Sequence, residues 1–335
     1  MAFTFGAYTN CLPDRGLTEA LDIVSGVGLT GIELNTGGFI PSPQVHVDTL
    51  LASAAEREHF LASIAESGLV LSGFTCSGNP LSPLPEEGIK HAEDLRKTIQ
   101  LAKLLGVKEI VAMSGVPGTD PAARYPAWVV NAWNGIDHEV LEYQWEVATE
   151  FWTEIDELAR EAGVRIALEL HPRNLVFNPV TFEQFVERVQ PTNIGVNFDP
   201  SHLFWQQMEP LECIERLGTH IIRVHAKDTK VLPGARYRGV LDVDFTRPAP
   251  GDPNKAEVAI GRYVAVPPED AAWRFVALGE SHDVDYWARF LTALAAINPD
   301  LHINIEHEDA AYGQIEGLTL GVKTLFAAAN KAGIS

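Results

Sequence analysis

Short apolar runs rich in β-branched and aromatic residues alternate along the chain with longer stretches whose apolar residues recur every three or four positions. Residues 3–9 read as a strand. Residues 17–27 follow as a helix, with Leu17, Ala20, Leu21 and Val24 on one face. The alternation continues through strands at 31–35, 69–75, 109–113, 165–170, 194–198, 221–225 and 302–306. Between and after them the spacing predicts helices near 56–67, 89–105, 143–162, 182–189, 210–217, 286–297 and 318–330. Gly106 stands where the helix at 89–105 should end. Strands this apolar on both faces belong in a parallel sheet covered by helices. Eight strand-then-helix units most simply close into an α/β (β/α)8 TIM barrel occupying 1–335 as a single domain. A doubly wound open sheet is the alternative, but no glycine-rich phosphate turn follows the first strand.

Two segments interrupt the rhythm. Residues 115–138 carry Pro117, Pro121 and Pro126 with Tyr125, Trp128 and Trp133. Residues 231–285 carry Pro233, Pro248, Pro250, Pro253, Pro267 and Pro268. They follow the fourth and seventh strands, so a barrel would hang both long loops over its catalytic face as lids or substrate walls. An oligomer contact or simple loop growth is the competing reading, with the aromatic residues serving only as loop packing.

Charge narrows the partners. The chain has 25 Lys+Arg against 45 Asp+Glu, a net charge of −20, which argues against nucleic acid and against an anionic membrane surface. No stretch approaches the ~18 consecutive apolar residues of a membrane span. The first cation is Arg15, so the opening residues do not read as a secretory signal. Cys11, Cys76 and Cys213 have neither disulfide nor zinc-ligand spacing. The expectation is a cytoplasmic globular protein.

Candidate chemistry lies at the ends of the last four barrel strands. They end in ALELHP (Glu169, His171), NFDPSH (Asp199, His202), RVHAKD (Arg223, His225, Lys227, Asp228) and NIEHED (Asn304, Glu306, His307, Glu308). Glu169, Asp199, His225 and Glu306 come from successive strands and can converge at a barrel mouth. Three carboxylates so placed would repel one another, and a divalent cation relieves that repulsion. Three oxygen ligands with one imidazole suit Mn2+ first, with Mg2+, Co2+, Fe2+ or Zn2+ compatible. The alternative is four unrelated charged residues at strand ends.

These motifs resemble the xylose-isomerase-like barrels, a family of sugar-phosphate isomerases, ketose 3-epimerases and their relatives. The resemblance implies a metal held by Glu169, Asp199, His225 and Glu306, and a substrate contact from His202. It also implies proton exchange by Glu169 and Glu306 at a carbon beside the carbonyl of a carbohydrate. Lys227 and His282 are further candidates for substrate contact, against a salt bridge for Lys227 and a lid contact for His282. His171 lies two residues beyond Glu169, faces the same side, and could act as a separate base. The Glu-x-His arrangement is similar to that in bacterial C-glycoside deglycosidase α subunits. That similarity implies β-elimination from a 3-oxo-glycoside and a small β subunit as partner, in place of an isomerase or epimerase acting as a homo-oligomer. Apurinic endonucleases share the barrel and its Asp-x-x-His pair. Here, however, the second and third strands end in Glu33-Leu-Asn35 and Phe74-Thr75-Cys76, without the histidines of a multi-zinc cluster. A non-catalytic binding subunit is the remaining class.

Overall fold

The computed structural model describes residues 3–249, 251, 257–259 and 262–334. Twelve strands are present among them: β1 (Thr4–Tyr8), β2 (Gly31–Asn35), β3 (Val70–Cys76), β4 (Glu109–Met113), β5 (Arg165–Glu169), β6 (Ile194–Phe198), β7 (Ile221–Ala226), β8 (Asp228–Val231), β9 (Glu257–Ala259), β10 (Arg262–Tyr263), β11 (Trp273–Val276) and β12 (His302–Ile305). Eight of these close a barrel in the order β1-β12-β7-β6-β5-β4-β3-β2. Every pairing around it is parallel, and β12 beside β1 completes the ring. The expected (β/α)8 barrel is the observed fold. β2 and β6 are buried at every position, which is why these strands read as continuous runs rather than alternating ones.

Helices cover the barrel, and local chemistry sets their ends. Pro85–Leu105 begins with proline at its first turn and stops at Gly106, whose φ of 74° is left-handed. Gly135–Ala162 starts eight residues before the periodicity predicted, because Asn134 and Asp137 form a capping box. Between helices and barrel lies the apolar core, with Trp152, Trp287, Phe182, Phe185 and Phe290 fully enclosed. The Trp152 indole donates to the Ser114 carbonyl at 2.9 Å, so its one polar atom is satisfied.

Inside the barrel the packing is polar. Arg223 on β7 reaches across the lumen to the carboxylate of Glu33 on β2, the carbonyl of Ser72 on β3 and, at 3.2 Å, Glu109 on β4. Glu109 in turn meets Arg165 at the start of β5. All but Arg165 are buried, so in this layer opposed charges and backbone oxygens stand where such barrels usually carry branched aliphatic side chains. Close approach demands glycine here: a Cβ on Gly73 would lie 2.5 Å from the Arg223 guanidinium. Gly73→Ala is therefore expected to cost about 1–3 kcal/mol. Gly26→Ala, where a Cβ meets nothing within 4 Å, should leave the urea midpoint close to that of the unaltered protein.

The segment after β7 holds elements the sequence pattern did not predict. β8 and β11 pair antiparallel, Asp228 opposite Val276, and β9 pairs with β10. A short helix, Ala235–Arg238, sits between β8 and β9. Parts of the long loop expected at 231–285, namely 250, 252–256 and 260–261, lie outside the described residues.

Candidate metal centre

Glu169 ends β5, Asp199 follows β6, His225 lies near the end of β7 and Glu306 follows β12. All four are buried. Ligand atoms of Glu169, His225 and Glu306 lie within 4.8 Å of one another. His225 Nδ1 stands 3.1 Å from Glu306 Oε2 as an ion-pair contact, but out of line for a hydrogen bond, so neither atom has a well-formed partner. Asp199 uses Oδ1 to accept the Ser201 N–H at 2.8 Å, which leaves Oδ2 unpartnered as well. His202 connects Asp199 to the others, its Nε2 lying 3.2 Å from Glu169 and 3.4 Å from Asp199 Oδ2.

This donor set fits a divalent cation. Buried polar atoms without partners are rare and costly; here three of them are potential ligand atoms at the same strand ends. An octahedral ion with bonds near 2.1 Å would hold adjacent ligands roughly 3 Å apart, close to the His225–Glu306 spacing. Oxygens with one imidazole and no sulfur match the preferences of Mg2+ and Mn2+.

The electrostatics are unequal around the cluster. Burial, with the nearby Glu306 charge, raises the Glu169 carboxyl above its ordinary range. Burial also pushes Asp199 up to about 6, against the pull of His202. Glu306 faces the same burial, but Lys227 and His225 outweigh it and hold it low. Its Oε1 accepts from Asn10 at 2.8 Å and Lys227 at 3.1 Å. Burial lowers His171 and His202 to about 4 each, keeping both rings neutral.

The other sequence candidates divide. His171 stands beside the cluster, its ring 4.2 Å from that of His202. Its Nδ1 lies 2.7 Å from the Pro172 carbonyl. A carbonyl can only accept, so the proton sits on Nδ1 and Nε2 presents a lone pair. Lys227 bonds Glu306 and Glu308 and rests 4.1 Å from the centre of the Phe275 ring. His282 instead donates from Nδ1 to Asp228 at 2.6 Å and stacks on Phe204 at 3.7 Å. These contacts tie it to β8 and to the short helix Ser201–Phe204. The β8–β11 pair sets Phe275 edge-on to His202 at 5.5 Å, so the base of the long segment reaches the cluster. Trp273 stacks on Trp205 at 4.8 Å.

Sequence reasoning missed Glu33. It is completely buried, 2.9 Å from His225 Nε2, and also bonded to Thr75, Arg223 and Asn304. Burial works to raise its carboxyl, but Arg223 and His225 prevail and hold it at about 2. An acidic residue inside the otherwise apolar run GIELN was the available signal.

A family model for xylose isomerase-like TIM barrels matches residues 21–324. The chain belongs to that family. It is 32% identical over 321 residues to the uncharacterized protein YfiH of Bacillus subtilis (strain 168), covering 95% of this chain and 96% of that one. Two solved structures share the fold at low identity. The probable 3-DHS dehydratase AsbF of Bacillus anthracis superposes with a TM-score of 0.64 at 15% identity, over 97% of this chain and 99% of its own. The 3-keto-D-glucoside 4-epimerase YcjR of E. coli gives 0.60 at 12%, over 98% and 99%. Among the described residues, no helix is long and apolar enough to cross a membrane.

Proposed function

We propose that the protein is a divalent-metal-dependent enzyme that removes a proton beside the carbonyl of a sugar or sugar derivative, giving isomerisation or epimerisation. One observation carries the reading: Asp199, His225 and Glu306 each keep an unpartnered, buried ligand atom at the strand ends, and ligand atoms of Glu169, His225 and Glu306 lie within 4.8 Å of one another. A cation held by these four residues, Mn2+ best fitting the set, supplies positive charge that favours the oxyanion developing as the C–H proton leaves. The chain's own groups do the rest. His171 offers a neutral imidazole whose free Nε2 can accept the proton, and Glu169 stands beside it as a second carrier. His202 and Lys227 present donors for substrate hydroxyls, and Phe275 shields the cluster from water.

Glu306 is the group that proton return on the opposite face would need. Its Oε1 already accepts from Asn10 and Lys227. Same-face return to the neighbouring carbon, and hence aldose–ketose isomerisation, therefore fits this wiring better than epimerisation. His171 also supports a second reading. A base separate from the carboxylates suffices for β-elimination from a 3-oxo-glycoside, the chemistry of an α subunit that works with a small β partner. Solved structures that share this fold include, by name, an epimerase and a probable dehydratase.

The test is proton exchange. The Mn2+-loaded protein, incubated in D2O with a panel of ketoses, aldoses and 3-oxo-glycosides, should place deuterium beside the carbonyl of at least one substrate, seen by NMR. A rearranged sugar identifies isomerisation or epimerisation, whereas a released aglycone identifies elimination. Full metal occupancy with neither exchange nor release across the panel would defeat the proposal.

A further inference from the structure

Glu33 lies outside the four ligands, yet each of its oxygens is doubly engaged. Oε1 faces the Thr75 hydroxyl and His225 Nε2; Oε2 faces Arg223 and the Asn304 side-chain amide. The guanidinium and the amide NH2 that face it can only donate. Four partners therefore surround a carboxylate that has about four acceptor sites, with none left over. The His225 ring is held from the side too, stacked on Tyr8 at 5.3 Å with the planes 14° apart. Tyr8 in turn donates to Asn35 at 3.2 Å.

We infer that Glu33 is the positioning residue of the metal centre: by accepting the Nε2 proton of His225 it fixes the imidazole tautomer that turns an Nδ1 lone pair toward Glu306 and Glu169. The inference rests on the metal-centre reading above and deepens it. A cation that binds at Nδ1 displaces the proton there, and the donor bond at Nε2 holds the ring's remaining proton in place. Arg223 completes the arrangement from across the barrel, donating to the other oxygen of Glu33.

The substitution Glu33→Gln separates this role from simple packing, because glutamine keeps the size but exchanges one acceptor for a donor. Its carbonyl oxygen must face Arg223, whose guanidinium cannot accept. Its NH2 then faces His225, and the ring has to put its lone pair on Nε2 and its proton on Nδ1. A protonated Nδ1 cannot bind a cation. Thr75→Val removes one donor to the same oxygen but leaves the Glu33–His225 bond in place.

The experiment titrates the metal-stripped full-length protein with Mn2+ in competition with a chelator, while circular dichroism reports the fold. The unaltered chain should take up one ion. Folded Glu33→Gln should bind it about 10–100-fold more weakly, and Thr75→Val no more than about threefold more weakly. Equal affinity for Glu33→Gln and the unaltered protein overturns the inference, as does an equal loss in Thr75→Val. An unaltered protein that binds no ion fails at the first titration, which separates failure of the metal centre from failure of the positioning role. Should Glu33→Gln not fold, the 15N spectrum of the zinc-loaded unaltered protein decides. The His225 signal must show a proton on Nε2, and a proton on Nδ1 overturns the inference.

Discussion

Replacing Arg223 with methionine should destabilise the protein by about 3–5 kcal/mol, a factor of roughly 10²–10⁴ in the folding equilibrium. The guanidinium is fully enclosed, and it is the cation shared by Glu33 and Glu109 inside the barrel. Methionine would fill much of the space but leave two buried carboxylates facing the lumen with less compensation. It would also leave the Ser72 carbonyl without its guanidinium donor. Breaking one member of a buried ionic set costs more than the set contributes as a whole, because the remaining charges keep their desolvation penalty. Arg165 provides the contrast. It also pairs with Glu109, but its side chain is 46% exposed, so Arg165→Met should cost about 1 kcal/mol or less. Urea unfolding of the two variants checks both figures, and a loss below about 1 kcal/mol for Arg223→Met would show the lumen network to be energetically idle.

That network also marks the limit of what the sequence makes legible. The barrel strands could be read from the chain because their outward faces pack under helices and their inward faces are enclosed. Each therefore stands out as a short apolar run between helical periodicities. β2, β4 and β6 were placed at their observed bounds on this signal. The strand-end residues Glu169, Asp199, His225 and Glu306 were legible for a related reason, since polar groups are conspicuous where aliphatic runs stop. Glu33, Arg223 and Asn304 sit one or more inward positions deeper, and their partners lie on strands far away in sequence. Arg223 and Asn304 each stand two residues before a candidate ligand, so strand alternation put them on the same inward side. Nothing local indicated that they met Glu33 across the lumen. The β8–β11 pair was missed because prolines and scattered charges hide the alternation of a short strand. Its register depends on contact with the barrel mouth rather than on its own residues. His282 was expected near substrate on the strength of its position before a helix. Asp228 holds it in place, accepting its ring proton and the backbone N–H groups of Gly279, Ser281 and His282 itself.

His171→Gln should reduce proton exchange at the substrate carbon by about 10²–10⁴-fold while one metal ion per chain is retained. The two nitrogens of the ring differ in their partners. Nδ1 is committed to the Pro172 carbonyl, so basicity resides at Nε2, and glutamine supplies a polar group of similar reach without it. Glu169→Gln makes the necessary comparison. That residue belongs to the donor set, and its substitution should lower metal occupancy and exchange together. Parallel metal analysis and deuterium incorporation distinguish the two variants. Loss of the ion from His171→Gln would mean that His171 is itself a ligand, an arrangement its closeness to Glu169 and His202 permits. The stereochemistry of the residual reaction carries further information. With a second proton carrier on the opposite face, His171→Gln would still exchange the proton of one epimer and fail with the other. With His171 as the sole base, both epimers would become inert, and the outcomes left are same-face isomerisation and elimination, separated by whether an aglycone is released.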